Sequence, residues 1–266
     1  MPYTVLSQLN IYPLKSAGGI ALANANLDRR GLVHDRRWMV VDDSGEFISQ
    51  RTFPRMALIN TELVSQMLIL NAPRMPELCM PLYPTEGTSQ EVEIWGDRCE
   101  AWTADPQSGL WISGYLGKSC KIVFMPDHSN RLVDPDFAVG EYQAAFSDAY
   151  PLLLITEASL NDLNNRLPEP VAMKRFRPNL VVNNTKPYEE DSWKKIKIGE
   201  CEFNVAKPCS RCVLTTVDPE TGEFSGKEPL RTLATYRKHN GNVLFGQNLI
   251  GTKMGKLEVG MTVEII

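Results

Sequence analysis

Short apolar or alternating runs, separated by turn residues, dominate this chain and restrict it to a β-rich fold. In the first third, Thr4 to Tyr12, Trp38 to Val41, Met67 to Leu70 and Val92 to Trp95 each have the length of a strand, with Gly, Pro, Asn and Asp between them. Asp42-Asp43-Ser44-Gly45 lies between Met39-Val40-Val41 and Glu46-Phe47-Ile48, the pattern of a hairpin. The last third repeats the pattern at Asn179 to Val182, Lys195 to Ile198, Glu202 to Ala206, Cys212 to Val217, Val243 to Ile250 and Lys256 to Ile265. Many short strands with frequent turns predict a mainly β fold with peripheral helices, and a closed β-barrel in preference to a βαβ array.

Three helices are expected. Asp105 to Leu116 carries Leu110, Trp111 and Leu116 at near-helical spacing. Thr156 to Leu167 is better marked: Thr156 can cap it, Leu160, Leu163 and Leu167 share one face, and Pro168 stops it. Pro151 to Ile155, ahead of it, reads as a buried strand, and Arg231 to Arg237 as a shorter helix. A turn-rich stretch, Pro126-Asp127-His128-Ser129-Asn130, marks a soft boundary around residues 120–130.

Composition excludes several functions. The 266 residues are 43% hydrophobic and 23% charged, with net charge −4, so nothing pulls the chain generally toward nucleic acid or anionic membrane. No apolar run approaches the ~18–20 residues of a membrane span. The start, Met1-Pro2-Tyr3-Thr4-Val5-Leu6, has neither the basic nor the long apolar region of a secretory leader, and a cytoplasmic location is expected.

Six cysteines are too sparse for a disulfide scaffold in a chain this long. Cys79, Cys99 and Cys120 are expected in the core. Cys209 and Cys212 differ: they stand three apart in Lys207-Pro208-Cys209-Ser210-Arg211-Cys212, followed by the β-branched Val213-Leu214-Thr215-Thr216-Val217. The pair admits a structural zinc site, a redox dithiol, two inert thiols, or one thiolate acting as nucleophile or metal ligand beside cations that hold an anionic partner. Zinc lacks a second pair, and a thioredoxin-type motif lacks its helix.

Other cationic segments are Tyr12-Pro13-Leu14-Lys15-Ser16-Ala17-Gly18-Gly19, Asp35-Arg36-Arg37-Trp38 and Lys174-Arg175-Phe176-Arg177-Pro178-Asn179. Arg forks, Lys and a Gly-rich turn all suit phosphate, although neither a Walker motif nor a GxGxxG occurs. The three histidines are isolated, and Glu189-Glu190-Asp191 reads as a solvated polar loop.

These segments, with Glu190-Asp191-Ser192-Trp193 and Thr215-Thr216-Val217-Asp218-Pro219, run in order along nearly the whole chain. Together they resemble the MOSC family, the molybdenum-cofactor sulfurase C-terminal-domain proteins with their N-terminal β-barrel region, and among these its amidoxime-reducing members. The resemblance implies a β-rich N-terminal region over residues 1–122 and a β-barrel MOSC domain over 123–266. It implies a molybdenum cofactor, Mo-molybdopterin, whose metal is ligated by Cys212. It further implies that Ser210 and Arg211 line the cofactor, that Arg177 and Asn179 contact it, that Lys15, Ser16 and Arg36 supply N-terminal contacts, and that Ser147 and Asp148 belong to the same site. The reaction implied is reduction of small N-hydroxylated compounds: amidoximes, hydroxylamines and N-hydroxylated base analogues. No C-x4-C-x2-C ferredoxin run is present, so an external flavin or iron–sulfur reductase is expected as donor, with neither membrane nor nucleic-acid polymer as partner. A sulfur-carrier or cofactor-binding module working through a cysteine persulfide is the alternative. The residues themselves agree with the family reading: an anionic cofactor needs cations from several segments, molybdenum favours soft sulfur, and Cys212 beside Arg211 is expected to deprotonate easily.

Overall fold

The computed structural model describes residues 3–133 and 142–266. Its largest sheet runs, in spatial order, through Ile20–Leu22, Val5–Ile11, Leu180–Asn183, Leu152–Thr156, Asn242–Lys253, Cys201–Arg211, Lys195–Ile198 and Val263–Ile265. Its one parallel pair is Leu152–Thr156 with Leu180–Asn183. A parallel pair needs a crossover, and the helix Glu157–Asn164 lies on that connection. Thr156 caps this helix by accepting from the Ser159 N–H at 3.2 Å, and Leu163 is fully buried, as the spacing predicts.

No continuous ladder closes the sheet into a barrel. Its last strand instead meets Val5–Ile11, the second in the order, through an isolated bridge, Val5 to Thr262, with Leu6 N donating to Met261 O at 2.9 Å and Val263 N to Thr4 O at 2.8 Å. The reason is that the expected long strand Lys256 to Ile265 is interrupted. Gly260 at φ 96° turns the chain, which divides into Gly255–Glu258, paired with Asn24–Asp28, and Val263–Ile265.

Register within the sheet follows burial. A bulge between Leu6 and Gln8 inserts one residue, so Leu6 and Leu9, three apart, both face the core with Ile11. Ile196, Ile198, Phe203, Leu249 and Val263 complete that interior.

A second sheet of Trp38–Val41, Lys121–Phe124, Asp97–Thr103 and Thr88–Ile94 packs with the meander Asn60–Val64, Met67–Asn71 and Leu78–Pro81. The helix Pro106–Leu116, capped by Asp105, covers the shared core with Trp111, Ile112 and Tyr115. The hairpin at Asp42–Gly45 forms, although its return arm makes isolated bridges, Val41 to Phe47 and Glu46 to Glu93, instead of a strand. The third helix spans Leu230–Tyr236.

Three further expectations fail. Cys79 is exposed, because it lies on the outward face of Leu78–Pro81, where Leu78 and Met80 take the core. Glu190 is fully buried rather than solvated: its carboxylate accepts from Thr156 Oγ1 at 3.0 Å and Ser159 Oγ at 2.8 Å, tying the helix N-terminus to the loop. The β-branched run after Cys212 is a 3-10 turn, Val213–Thr216, not a strand. Thr215 Oγ1 donates to Cys212 O at 2.9 Å and Thr216 Oγ1 to Val213 O at 2.8 Å, so the threonines satisfy the backbone locally and override their strand propensity.

Candidate functional site

The 3-10 turn leaves Cys212 at its N-terminal end, facing a cavity of about 310 Å³. Every site residue singled out in the sequence lines this cavity: Lys15, Ser16 and Arg36 from the N-terminal segment, Ser147 and Asp148, Arg177 and Asn179, and Ser210, Arg211 and Cys212.

Backbone strain aims several of them. Ser16, Arg36 and Arg177 lie at φ of 68°, 47° and 58°, the left-handed region that non-glycine residues seldom occupy. Along Cys201–Arg211, register shifts between Val205 and Lys207 and between Pro208 and Ser210 break the strict alternation. Lys207, Cys209, Ser210 and Arg211 therefore all reach the cavity, and Pro208 is tolerated at the irregularity.

The N-terminal contacts are anchored from beneath. Asp35, 2% exposed, accepts from Arg36 Nη1 at 2.6 Å and from the Tyr12 N–H at 2.8 Å. Burial pushes its carboxyl up, and the Arg36 charge and these hydrogen bonds oppose that. Asn179 accepts from Arg36 Nη1 at 3.0 Å and donates to Asn10 O at 3.0 Å, so it holds Arg36 between adjacent strands. The Tyr12 ring lies between two guanidiniums, Arg36 at 4.4 Å and Arg177 at 4.2 Å. Gly19 has no side chain because a Cβ there would meet that ring at 2.5 Å. The Gly-rich turn thus passes an aromatic.

Arg51 belongs to none of the motifs, yet it is central. Its Nη2 meets Asp148 Oδ2 at 3.0 Å, and it lines the cavity together with Cys212. Burial would lower its pKa, but Asp148 and Cys212 raise it further. Arg211, the neighbour expected to activate Cys212, instead places Nη1 3.0 Å from Cys209 Sγ and donates from Nη2 to Phe176 O at 2.8 Å. A run of residues so ordinary as Gln50-Arg51-Thr52 offers no sequence signal for this role.

Not every cation of the motifs arrives. Arg37 donates to Met125 O and pairs with Asp127, Arg175 pairs with Asp218, and Lys174 pairs with Glu220, all away from this cavity. Among the described residues, no group of three or more His, Cys, Asp or Glu gathers around the two thiols, and both thiols are free.

The donor set fits an anion. Asp148 is already compensated: burial would push its carboxyl up, yet Lys15 at 2.6 Å and Arg51 at 3.0 Å hold it well below the usual carboxylate range. Arg177 and Arg211 form no ion pair among the described residues, and Arg177 Nη2, Arg211 Nε and Ser147 Oγ are buried there without a hydrogen-bond partner. Buried donors left unmet are costly, and these three belong to residues of the cavity wall, where uncompensated guanidiniums favour an anionic ligand.

Lys15 sets a pH limit. It is 5% exposed, and burial pushes its pKa down to about 8 against the pull of Asp148. Its charge is complete well below pH 8 and fades as pH rises through that value. Binding of inorganic phosphate, followed by calorimetric titration between pH 7 and 9.5, should weaken across this window. Lys15→Arg, which stays charged, should flatten that limb.

With this geometry described, the comparisons with known proteins are informative. Residues 3–119 match the MOSC N-terminal beta barrel domain and residues 141–264 the MOSC domain. The chain is 35% identical to mitochondrial amidoxime reducing component 2 of Rattus norvegicus, over 96% of this chain and 81% of that protein. It is 34% identical to mitochondrial amidoxime-reducing component 1 of Homo sapiens, over 98% of this chain and 82% of that one. It is 33% identical to molybdenum cofactor sulfurase of Oryza sativa subsp. japonica, over 91% of this chain but 32% of that longer protein. With both domain models matched in order and such relatives along nearly its whole length, this chain belongs to the MOSC family.

Proposed function

We propose that this protein is a cytoplasmic, molybdenum-cofactor-dependent oxidoreductase that reduces small N-hydroxylated compounds such as amidoximes, hydroxylamines and N-hydroxylated base analogues. The observation that carries the reading is convergence: Cys212 and the cationic and hydroxyl residues Arg177, Arg211 and Ser147 line one cavity. The names of the relatives support a function connected with the molybdenum cofactor and, more coarsely, an oxidoreductase.

When bound, the cofactor supplies the two-electron redox chemistry. The chain supplies the rest. Cys212 would offer the thiolate ligand, with the Arg51 charge on the same cavity wall. Lys15, Ser16, Ser147, Arg177, Ser210 and Arg211 offer donors to the anionic cofactor, while Asn179 and Asp35 hold Arg36 in place. The site takes residues from both proposed units, 1–122 and 123–266, so their packing sets its shape. In the net reaction the N–O bond breaks, two electrons and two protons are taken up, and the reduced nitrogen compound and water leave. The electrons come from an external flavin or iron–sulfur protein.

The test is molybdenum per chain by elemental mass spectrometry, after expression in a host that makes the cofactor, together with reduction of an amidoxime by the same sample using a chemical reductant. Near-stoichiometric molybdenum and turnover are expected. Stoichiometric zinc without turnover would overturn the reading.

A second reading, a sulfur carrier, is favoured by the free, half-buried Cys209 with Arg211 against its sulfur and by the sulfurase among the relatives. It predicts a dithiothreitol-sensitive gain of one sulfur in the intact mass.

A further inference from the structure

Trp95 has no structural reason to be where it is. It forms, with Gly96, the two-residue loop of the hairpin Thr88–Ile94 and Asp97–Thr103, in which Ile94 faces Asp97. Both loop residues have positive φ, 55° and 89°, the pattern of a type I′ turn. Such turns favour Asn-Gly, and a bulky side chain at positive φ is strained. Nor does Trp95 gain burial in return: it is 55% exposed, whereas Trp38, Trp111 and Trp193 are buried.

Its contacts point toward the site. The Arg51 guanidinium lies over the Trp95 ring at 4.6 Å, and Phe47 packs against the ring at 5.0 Å. Arg51 pairs with Asp148 in the wall of the cavity that Cys212 also lines, and Lys15 of the same wall stands over Phe47 at 5.2 Å. Trp95 therefore sits behind Arg51, a residue of the cavity wall, with much of its ring open to solvent.

We infer that Trp95, backed by Arg51 and Phe47, is a specificity-determining shelf that selects N-hydroxylated substrates bearing an aromatic ring. The inference rests on the function proposed above. A planar ring stacked on this shelf leaves its N–O group directed into the cavity, and the flat, polarisable surface favours aryl over alkyl substituents.

The experiment compares benzamidoxime with acetamidoxime on the holoenzyme, using reduced methyl viologen so that no protein donor is involved. The Trp95→Asn variant suits the turn and should melt at or above the wild-type temperature. Its ratio of kcat/KM for benzamidoxime over acetamidoxime should fall roughly tenfold, chiefly through KM for the aryl compound. Trp95→Phe should keep part of the ratio, and it decides the matter if the Asn variant does not fold. An unchanged ratio, or an equal loss on both substrates, would overturn the shelf, as would a defect seen only with a protein donor. Should the wild type reduce neither compound, the proposed function fails, and fluorescence then decides the shelf alone. Benzamidoxime should quench tryptophan emission in the wild type and less in Trp95→Asn, and equal quenching refutes it.

Discussion

Cys212→Ala should give a folded protein that carries no molybdenum and does not reduce an amidoxime. Cys212 is half-buried at the end of a short turn, and its backbone carbonyl, which the Thr215 hydroxyl holds, survives the substitution. Little packing is lost, so the melting temperature should barely move. Even residues that merely support a metal ligand change affinity by about 10–100-fold, so removing the ligand should exceed that. Cys209→Ala should do far less. Its sulfur meets Arg211 Nη1 and packs at the edge of the cluster around Phe176 and Phe245, and a several-fold loss through a loosened Arg211 is expected. Molybdenum content and kcat/KM measured on both variants check this. Equal loss from both would mean that the thiols act as a pair, as in a disulfide or zinc site.

Asp35→Ala should be the more damaging change to stability. The carboxylate is buried, and removing it strands the Arg36 charge and the Tyr12 N–H together. Breaking a buried pair in this way costs about 3–5 kcal/mol, which for a chain of this size lowers the melting temperature by about 10 °C. The double variant Asp35→Ala with Arg36→Ala should cost less than the sum, because the unpaired charge is gone. Thermal unfolding followed by circular dichroism measures both. A loss below about 1 kcal/mol for Asp35→Ala would show that the pair is not desolvated.

The same anchoring explains how the site reads in the chain. Motif by motif, the residues that face the cavity were legible, because Lys15-Ser16, Arg36, Arg177-Pro178-Asn179 and Ser210-Arg211-Cys212 carry their chemistry in side-chain type. What each one bonds was not. Arg211 looked like the activator of Cys212 and serves Cys209 and Phe176 O, while Arg51, in no motif, pairs with Asp148 on the cavity wall beside Cys212. The strand expected after Cys212 was misread because a β-branched run scores as extended, whereas two Thr hydroxyls capture local carbonyls.

Features that depend on neighbours a few residues away were set by the chain itself: the caps at Asp105 and Thr156, the Asp42–Gly45 turn, and the alternation that buries Ile196 and Ile198. These are short-range effects of hydrogen bonding and of the two-residue period of a strand. Whether Arg36 or Arg37, Arg177 or Arg175, entered the cavity was decided only when the sheets packed. Arg36 and Arg37 are adjacent and so point to opposite sides, while Arg175 ends a 3-10 turn and Arg177 lies at positive φ; distant partners place the first and the bulges, Tyr12 O for Arg36 and the strand Asn242–Lys253 for residues 207–211.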